Sequence, residues 1–274
     1  MTVDSAAMLA IARQAAAIGA GLMTTGERGA VQRKSDRDFV TDLDLRIEGA
    51  VRSHLEKETP DIGFLGEEEH GTHPALDSGE AIWVLDPIDG TSNFIHGLPL
   101  SAISLALVEK RSPTVGVIIA PFLGLDYHAT TGLGAFANGR PMTCARPSSL
   151  SESIVAFGDY AVGTDADRKN RRRVALTAAL AASTERVRMF GSAALDLAWV
   201  AEGRIDACVI LSNKPWDTSA GVLIARESGA LVTDSRGLDH TLESVDTIAA
   251  APTVQTELLA LIRGSDRRVI SGED

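Results

Sequence analysis

Hydrophobic residues recur every three to four positions near the start of the chain, which predicts an amphipathic helix there. Met8, Ile11 and Ala15 share one face at this spacing. Asp4 and Arg13 interrupt the apolar stretch and no basic segment precedes it, so the pattern is not typical of a signal peptide. Since no apolar run reaches the ~18 residues of a membrane span, we expect a cytoplasmic protein without a membrane partner.

A second helix is predicted over residues 42–58. Thr41 can cap its start, Leu43 and Ile47 begin an apolar stripe on one face, and Pro60 lies just beyond its end. The helix therefore has a polar start signal, a buried face and a stop signal in the order that a surface helix requires.

Short apolar runs after this helix predict buried strands that end in carboxylates. The runs 62–65 and 82–85 lead directly into Glu67 and Asp86, and strand ends of this kind hold side chains rigidly. Further strands are predicted at 101–108, 115–121, 125–130, 154–157, 187–190, 207–211 and 231–233, further helices at 165–182, from 192, at 216–228 and at 253–262, and a turn at Asn138 and Gly139.

This alternation predicts an α/β fold built from layers of helices and sheets. We expect one domain over 1–274 with two sub-domains, 1–147 for the metal and phosphate site and 148–274 for the substrate side and the last metal ligand. The segment 147–153 is the best candidate for the seam, because the pattern changes there from strands alone to alternating strands and helices.

The composition of the chain narrows the classes of ligand that we expect it to bind. The 274 residues include 26 Lys and Arg against 37 Asp and Glu, a net charge of −11. Such acidity argues against general nucleic-acid or anionic-membrane binding and suits metal binding, and a polyanionic substrate would need cations as mediators. Cys144 and Cys208 are too few for a disulfide framework and lack zinc-ligand spacing, so we interpret them as small apolar residues in a reducing compartment.

The densest signal is the segment 83–94, Trp-Val-Leu-Asp-Pro-Ile-Asp-Gly-Thr-Ser-Asn-Phe. Asp86 and Asp89 could face one hard divalent cation, with the carbonyl of Ile88 as a third oxygen ligand. Gly90 and Thr91 then offer free amides at a helix start, where a phosphate binds well. A β-turn with surface aspartates would explain this segment equally well when it is taken alone.

Together with other segments, this motif resembles the inositol monophosphatase family, the magnesium-dependent, lithium-sensitive phosphomonoesterases of the sugar phosphatase fold. The resemblance implies an αβαβα sandwich, a homodimer and hydrolysis of a small phosphorylated polyol or sugar, similar to inositol 1-phosphate. The matching positions run in family order: Lys34, 41–44, 66–68, 83–93, 191–193, 216–217 and 220–221.

The resemblance implies a metal site with two or three Mg²⁺ ions. Glu67, Asp86 and the Ile88 carbonyl would hold the first ion, and Asp86, Asp89 and Asp217 the second. From sequence alone, Asp217 could instead serve only the dipole of the helix that it begins.

It also implies the catalytic and substrate residues. Asp44 and the Thr91 hydroxyl would deprotonate a metal-activated water that attacks phosphorus in line. Asp42 is an alternative to Asp44 and would point roughly 200° away from it on a helix. Lys34 would organise the metal-side loop or be an ordinary surface lysine. The substrate contacts would come from Asp89, Gly90, Thr91, Ser192 and Ala193.

The substrate side departs from the family. Many members carry a substrate-binding glutamate seven residues before Asp217, where this chain has Ile210, so inositol phosphate and histidinol phosphate both come into question. Lys214 could hold a second phosphate, as a bisphosphatase for fructose 1,6-bisphosphate or 3′-phosphoadenosine phosphate requires, or be a solvated loop lysine.

A non-enzymatic alternative is an RNA- or protein-binding partner that uses the basic run 168–173, for which we favour a solvated helix face. We assign His70 and His73 to a surface loop, because imidazoles are poor magnesium ligands. We assign Trp199 to the core or to a subunit interface.

Overall fold

The computed structural model describes residues 4–27, 29–35, 38–68 and 79–271. His70 and His73 lie outside these residues. Seven α-helices in the described residues are α1 (Ser5–Thr25), α2 (Asp42–Glu58), α3 (Thr91–Ile95), α4 (Ala166–Ser183), α5 (Ala193–Glu202), α6 (Pro215–Glu227) and α7 (Gln255–Ser271).

The larger sheet has seven strands in the order in which they follow along the chain. Its first two strands are parallel and the others pair antiparallel. They are β3 (Gly63–Gly66), β4 (Ile82–Asp89), β5 (Ala102–Glu109), β6 (Ser112–Ala120), β7 (Leu125–Thr130), β8 (Ala135–Ala137) and β9 (Arg140–Met142).

A second, five-stranded sheet and a hairpin complete the strands. The sheet has the order β11-β10-β12-β14-β13, with β10 parallel to both of its neighbours. Its strands are β10 (Ile154–Phe157), β11 (Arg186–Arg188), β12 (Ala207–Ile210), β13 (Leu231–Thr233) and β14 (Thr247–Ala250), and the hairpin is β1 (Val31–Ser35) with β2 (Asp38–Thr41).

The described residues form four buried apolar clusters, of which three fill the spaces between five layers. One lies between α1, α2 and the larger sheet, one surrounds α5 and α6 between the two sheets, and one joins the smaller sheet to α4 and α7. The fourth consists of Leu65, Ile82, Val84 and Val108. Apolar runs such as Ile82 to Leu85 are buried on both faces for this reason. The predicted α/β fold with αβαβα layers is confirmed, and the division at residue 147 stays a prediction.

Several features were not predicted from the pattern. The hairpin β1–β2 lies directly before α2 and places Lys34 on a strand, and the short strands β8 and β9 flank the expected turn at Asn138 and Gly139. Strand β14 is four residues long and half alanine, so its propensity signal is weak. Helix α7 continues to Ser271 instead of ending at Ile262, because its polar second half is held by contacts such as Arg172 with Asp266.

Helix α1 corrects one expectation. By length and composition it is apolar enough to cross a membrane, although no unbroken apolar run of that length exists. Its small residues Ala12, Ala15 and Ala16 are fully buried, and the helix packs on α2 and the larger sheet. The apolar character of α1 therefore serves the first layer of this fold.

Helix α6 packs unusually close to both of its neighbours. A Cβ on Gly221 would lie 2.6 Å from the Cβ of Leu197 in α5, and a Cβ on Gly116 of β6 would lie 2.9 Å from the Ala220 carbonyl oxygen. The Ala-Gly pair after Trp216 therefore lets α6 lie between the sheet and α5 at short range.

Substitution of Gly221 by Ala should lower the free energy of unfolding by about 1–3 kcal/mol, because α5 and α6 must separate to admit the methyl group. Urea denaturation measures this change. Gly49, which faces open space in the middle of α2, provides the control: Gly49→Ala should stabilise by ~0.5–1 kcal/mol. Equal effects at the two positions would contradict the packing argument.

Candidate active site

The parallel pairing of β3 with β4 brings two carboxylates to one edge of the larger sheet. Gly66 pairs with Leu85, and the amide of Glu67 donates to the Leu85 carbonyl at 3.1 Å. Glu67 comes directly after β3 and therefore lies beside the part of β4 that carries Asp86. Chain order and strand direction alone place these side chains together.

Strand β4 becomes irregular between its two aspartates. The amide of Ile88 donates to Asp86 Oδ1 at 3.0 Å, and the register with β5 shifts between Asp86 and Asp89. Gly90 follows with a φ of 84°, and a Cβ there would lie 2.7 Å from the Leu100 carbonyl oxygen. This bend lets both aspartates face one cavity and requires glycine at position 90.

Asp89 joins the two sheets. Its carboxylate accepts hydrogen bonds from the Ser192 hydroxyl, from the Ala193 amide at 3.2 Å and from the Ala194 amide at 3.1 Å, all at the start of α5. Asn93 adds a second link, since its Nδ2 donates to the carbonyl of Phe190 at 2.7 Å and to that of Leu100 at 2.8 Å.

Asp217 lies in the first turn of α6. Ser104, which pairs with Asp86 across β4 and β5, donates from its hydroxyl to the Trp216 carbonyl at 3.3 Å. The start of α6 is thereby tied to the strand beside Asp86. Asp217 faces the same cavity as Glu67, Asp86 and Asp89.

These elements enclose a cavity of about 300 Å³. Six carboxylates line it, and no Lys, Arg or His is among the described residues of its wall. The wall consists of Phe39, Glu67, Asp86, Ile88, Asp89, Gly90, Thr91, Ser92, Gly158, Asp159, Gly191, Ser192, Ala193, Asp196, Ile210, Ser212 and Asp217.

Burial and mutual repulsion raise the pKa values of Asp86, Asp89 and Asp217. Burial is the larger cause for Asp86, and the charges of Glu67, Asp89 and Asp217 add to it. Burial raises the pKa of Asp89 to about 7 although the Ser192 hydroxyl bond opposes the shift. Burial, Asp89 and Glu67 also raise the pKa of Asp217 well above its ordinary value. The cavity therefore favours a cation.

Lys34 lies beside this cluster, with Nζ 3.1 Å from Glu67 Oε1 and 2.5 Å from Glu68 Oε1. Burial alone would lower the pKa of Lys34, but the two glutamates outweigh it and raise the pKa. Glu48 of α2 accepts from the Glu68 amide at 3.0 Å and fixes the same turn. Lys34 is thus not an ordinary surface lysine.

Asp44 and Asp42 occupy different surroundings. Asp44 is fully buried, and its Oδ2 accepts from the Thr41 amide at 2.8 Å and from the Thr41 hydroxyl at 2.5 Å, completing a capping box. Asp44 Oδ1 is buried without a partner in the described chain. Asp42 points toward the hairpin, where its Oδ2 accepts from the Ala30 amide at 2.9 Å.

Thr91 lies in the cavity wall, whereas Asp44 is not part of that wall. The Thr91 hydroxyl donates to the Ile88 carbonyl at 3.0 Å. The Thr91 hydroxyl and the Asp44 carboxylate, which the family resemblance implies act together, thus each bond to another group in this structure.

The chemistry of the donor set fits magnesium, because every charged group on the wall is an oxygen donor. Among the residues that the structure describes, however, no three Asp, Glu, His or Cys side chains are grouped so that they could hold a metal ion. The contacts of Asp89 with Ser192 and of Glu67 with Lys34 occupy oxygens that a metal would need.

The substrate-side residues separate into two groups. Ile210 lies in the cavity wall, as does Ser212. Lys214 is exposed, and its Nζ lies 5.0 Å from the centre of the Trp216 ring, outside the cavity wall.

The prediction that the basic run 168–173 is a solvated helix face is corrected in part. Arg172 bonds to Asp266 of α7 at 2.6 Å, and Arg173 is buried and donates to the Leu211 carbonyl at 3.2 Å. Part of the run therefore joins α4 to its neighbours instead of forming a solvated face. Trp199 is buried against Phe190, with 4.7 Å between ring centres.

Sequence reasoning missed Asp159 and Asp196. Asp159 follows the short strand β10, and Asp196 lies inside α5, so neither stands in a recognisable motif. The signal that could have found Asp196 is a charged residue on an otherwise apolar helix, since its neighbours from Ala193 to Ala201 are all apolar.

The chain is similar to known proteins along most of its length. The model of the inositol monophosphatase family matches residues 3–267. Inositol-1-monophosphatase ImpA of Mycolicibacterium smegmatis is 36% identical over 235 residues, which cover 86% of this chain and 84% of that protein. A Thermotoga maritima protein named fructose-1,6-bisphosphatase/inositol-1-monophosphatase is 34% identical over 85% and 86% of the two chains.

The fold is also similar to that of a solved structure, an IMPase from Thermotoga maritima. The TM-score is 0.83 at 30% sequence identity, and the match covers 96% of this chain and 97% of the other.

Replacement of Asp86 by Asn should stabilise the chelator-treated protein at about pH 8. An acid with a raised pKa in the folded state loses stability as pH rises from its unfolded value of 3.8 through its folded value. The gain should therefore vanish near about pH 4. The melting temperature should rise by about 2–4 °C for each kcal/mol of repulsion removed.

Asp126→Asn is the matched control of opposite sign. Partial burial opposes the shift, but hydrogen bonds from His128 and Arg13 lower the pKa of Asp126. Its ionised form therefore stabilises the fold, and the substitution should lower the melting temperature at about pH 8. Destabilisation by both substitutions would contradict the repulsion at Asp86.

Proposed function

The chain belongs to the inositol monophosphatase family, and on that premise we propose that this phosphatase is a Mg²⁺-dependent phosphomonoesterase for a small phosphorylated polyol or sugar, similar to inositol 1-phosphate. The observation that carries the proposal is the cavity wall, on which buried and half-buried carboxylates gather at the ends of β3 and β4 and at the start of α6, with no basic side chain among the described wall residues.

Four side chains and one carbonyl are suited to hold the metal. Glu67, Asp86 and the Ile88 carbonyl would bind the first ion, and Asp86, Asp89 and Asp217 the second. Bound Mg²⁺ supplies positive charge for the phosphate and lowers the pKa of a coordinated water. Asp89 would then exchange its hydrogen bond from Ser192 for a metal contact, and Glu67 would do the same with its contact to Lys34. The positive charge of the metal would offset the repulsion among the carboxylates.

The chain's own residues would orient the ester and move the proton. The amides of Gly90 and Thr91 line the cavity and suit phosphate oxygens. Asp44 would receive the nucleophile's proton through the Thr91 hydroxyl, which must turn from the Ile88 carbonyl to do so. The unpartnered, buried Asp44 Oδ1 supports this role, and burial raises the pKa of that carboxyl, as a proton acceptor requires.

The remaining substrate contacts lie at the start of α5. The Ser192 hydroxyl and the Ala193 amide face the cavity and contact Asp89 in this structure. In the proposed complex they would bind the alcohol half of the substrate. We further propose a cytoplasmic homodimer, for which light scattering would give twice the monomer mass of 28.9 kDa.

The alternative functions require different groups in the cavity or on the surface of the protein. A bisphosphatase or a histidinol phosphatase would use the same metal side, and only the alcohol side would differ. An RNA- or protein-binding role would need a basic surface, and the contacts of Arg172 and Arg173 inside the protein weaken that alternative.

Phosphate release should depend on Mg²⁺ and be inhibited by Li⁺. The assay uses inositol phosphates, sugar mono- and bisphosphates, histidinol phosphate and 3′-phosphoadenosine phosphate, with the chelator-treated protein as the blank. Hydrolysis that continues unchanged after chelation would refute the metal-dependent mechanism, and the preferred ester identifies the substrate class.

Replacement of Asp44 by Asn should lower kcat by about 10²–10⁴-fold, because the proposed proton acceptor is lost. Asp42→Asn is the matched control two residues away, since Asp42 bonds to the hairpin instead of facing the site. We expect near-normal kcat for that variant once its melting temperature is confirmed. A larger loss from Asp42→Asn would assign the role to the other carboxylate.

A further inference from the structure

Two carboxyl groups of the cavity have no part in the proposed phosphatase mechanism. Asp159 and Asp196 lie on its wall together with Ile210 and Ser212. We propose that Asp159 and Asp196 form a leaving-group subsite that takes an alcohol rich in hydrogen-bond donors and rejects one that carries a second phosphate. This inference rests on the proposed phosphatase function and specifies the substrate class for it.

The topology of the smaller sheet creates this subsite. Strands β10 and β12 are parallel, with Phe157 paired to Val209, so their carboxyl ends open on the same side. Asp159 follows the first strand and Ile210 ends the second. The Gly158 amide donates to the Val209 carbonyl at 2.9 Å, which keeps the two ends adjacent. Ligands commonly bind at such an edge of an α/β sheet.

Asp196 is the observation that points to a ligand. The residue is 2% exposed, its Oδ1 is buried without a hydrogen bond among the described residues, and its side chain lines the cavity. A buried carboxyl group without a partner is unfavourable, and a hydrogen-bond donor from a ligand would remove that cost. The Asp196 amide, in contrast, is already used, since it donates to the Ser192 carbonyl at 3.0 Å.

Asp159 extends the same surface to the cavity mouth. It is exposed, but its carboxyl loses enough water contact to raise its pKa. Burial, followed by the charges of Asp89 and Asp159, raises the pKa of Asp196 well above its ordinary value. The two groups therefore feel each other's charge, and hydroxyl or ammonium donors between them would relieve the repulsion.

The subsite has nothing to attract a second phosphate. No Lys, Arg or His is among the described residues of the cavity wall, and Lys214 lies over the Trp216 ring. A phosphate placed beside Asp159 would meet like charge, and no basic side chain of the described wall would offset it. Like-charge contacts of this kind exclude a competing ligand as effectively as attraction selects the correct one.

The test compares kcat/KM for three esters in Mg²⁺. Fructose 1-phosphate presents donors, fructose 1,6-bisphosphate adds a second phosphate, and phenyl phosphate has no donor on its leaving group. In Asp159→Asn and in Asp196→Asn, the ratio of fructose 1-phosphate to phenyl phosphate should fall about tenfold. The ratio of the bisphosphate to the monophosphate should rise by a similar factor.

Asp167→Asn is the control, because Asp167 is an exposed acid in the first turn of α4. Its two ratios should equal those of the unmodified protein. Unchanged ratios in both subsite variants would overturn the subsite and leave the phosphatase function intact, as would a preference of the unmodified protein for the bisphosphate.

A readout without turnover separates the two proposals. In Mg²⁺, fructose 1-phosphate should raise the melting temperature of the unmodified protein more than that of the Asp159→Asn, Asp196→Asn double variant. If no ester is hydrolysed, the proposed function fails, and this shift still decides the subsite. Equal shifts in the two proteins would refute it.

Discussion

Mutual repulsion among buried carboxylates is the constraint on which the rest of this structure depends. Glu67, Asp86, Asp89 and Asp217 face one cavity, and burial together with their charges raises the pKa values of the three aspartates. A folded chain does not gather such groups without a strong scaffold, because each buried charge opposes folding. The scaffold consists of features that do not depend on the charges: the parallel pairing of β3 and β4, the Ser104 bond to the start of α6, and the close approach of Gly116 and Gly221 to their neighbours.

The same constraint explains the polar contacts that surround the site. Lys34 bonds to Glu67 and Glu68, and Asp89 accepts from three donors at the start of α5. Each contact offsets part of the repulsion among the carboxylates. Each also occupies oxygens that a cation would use, which is consistent with a wall of carboxylates that is chemically suited to a metal but not grouped as ligands in this structure.

The parts of the molecule that sequence could predict are those whose signals are local. Thr41 caps α2 through Asp44, the strands at 125–130 and 154–157 begin and end where the pattern indicates, and Asn138–Gly139 turns with positive φ at both residues. The αβαβα layers follow from the family resemblance. The hairpin β1–β2 and the second half of α7 depend on contacts with distant segments, which periodicity cannot express. Asp196 was missed for a similar reason, because its buried Oδ1 is notable only in the folded chain, where it has no hydrogen-bond partner among the described residues.

Each of the two sheets supplies residues to a different part of the proposed site. The metal and phosphate side comes from the ends of β3 and β4 in the larger sheet, with Asp217 contributed by α6 between the layers. The alcohol side comes from the ends of β10 and β12 in the smaller sheet and from α5. Asp89 and Asn93 connect the two halves through the Gly191–Ser192 turn. Residues such as Asp159 and Ile210 can therefore differ without moving a proposed metal ligand, because in the described residues β3 and β4 pair with each other and with β5, not with them. This arrangement gives a physical reason why proteins similar to this chain can be named for different phosphate esters.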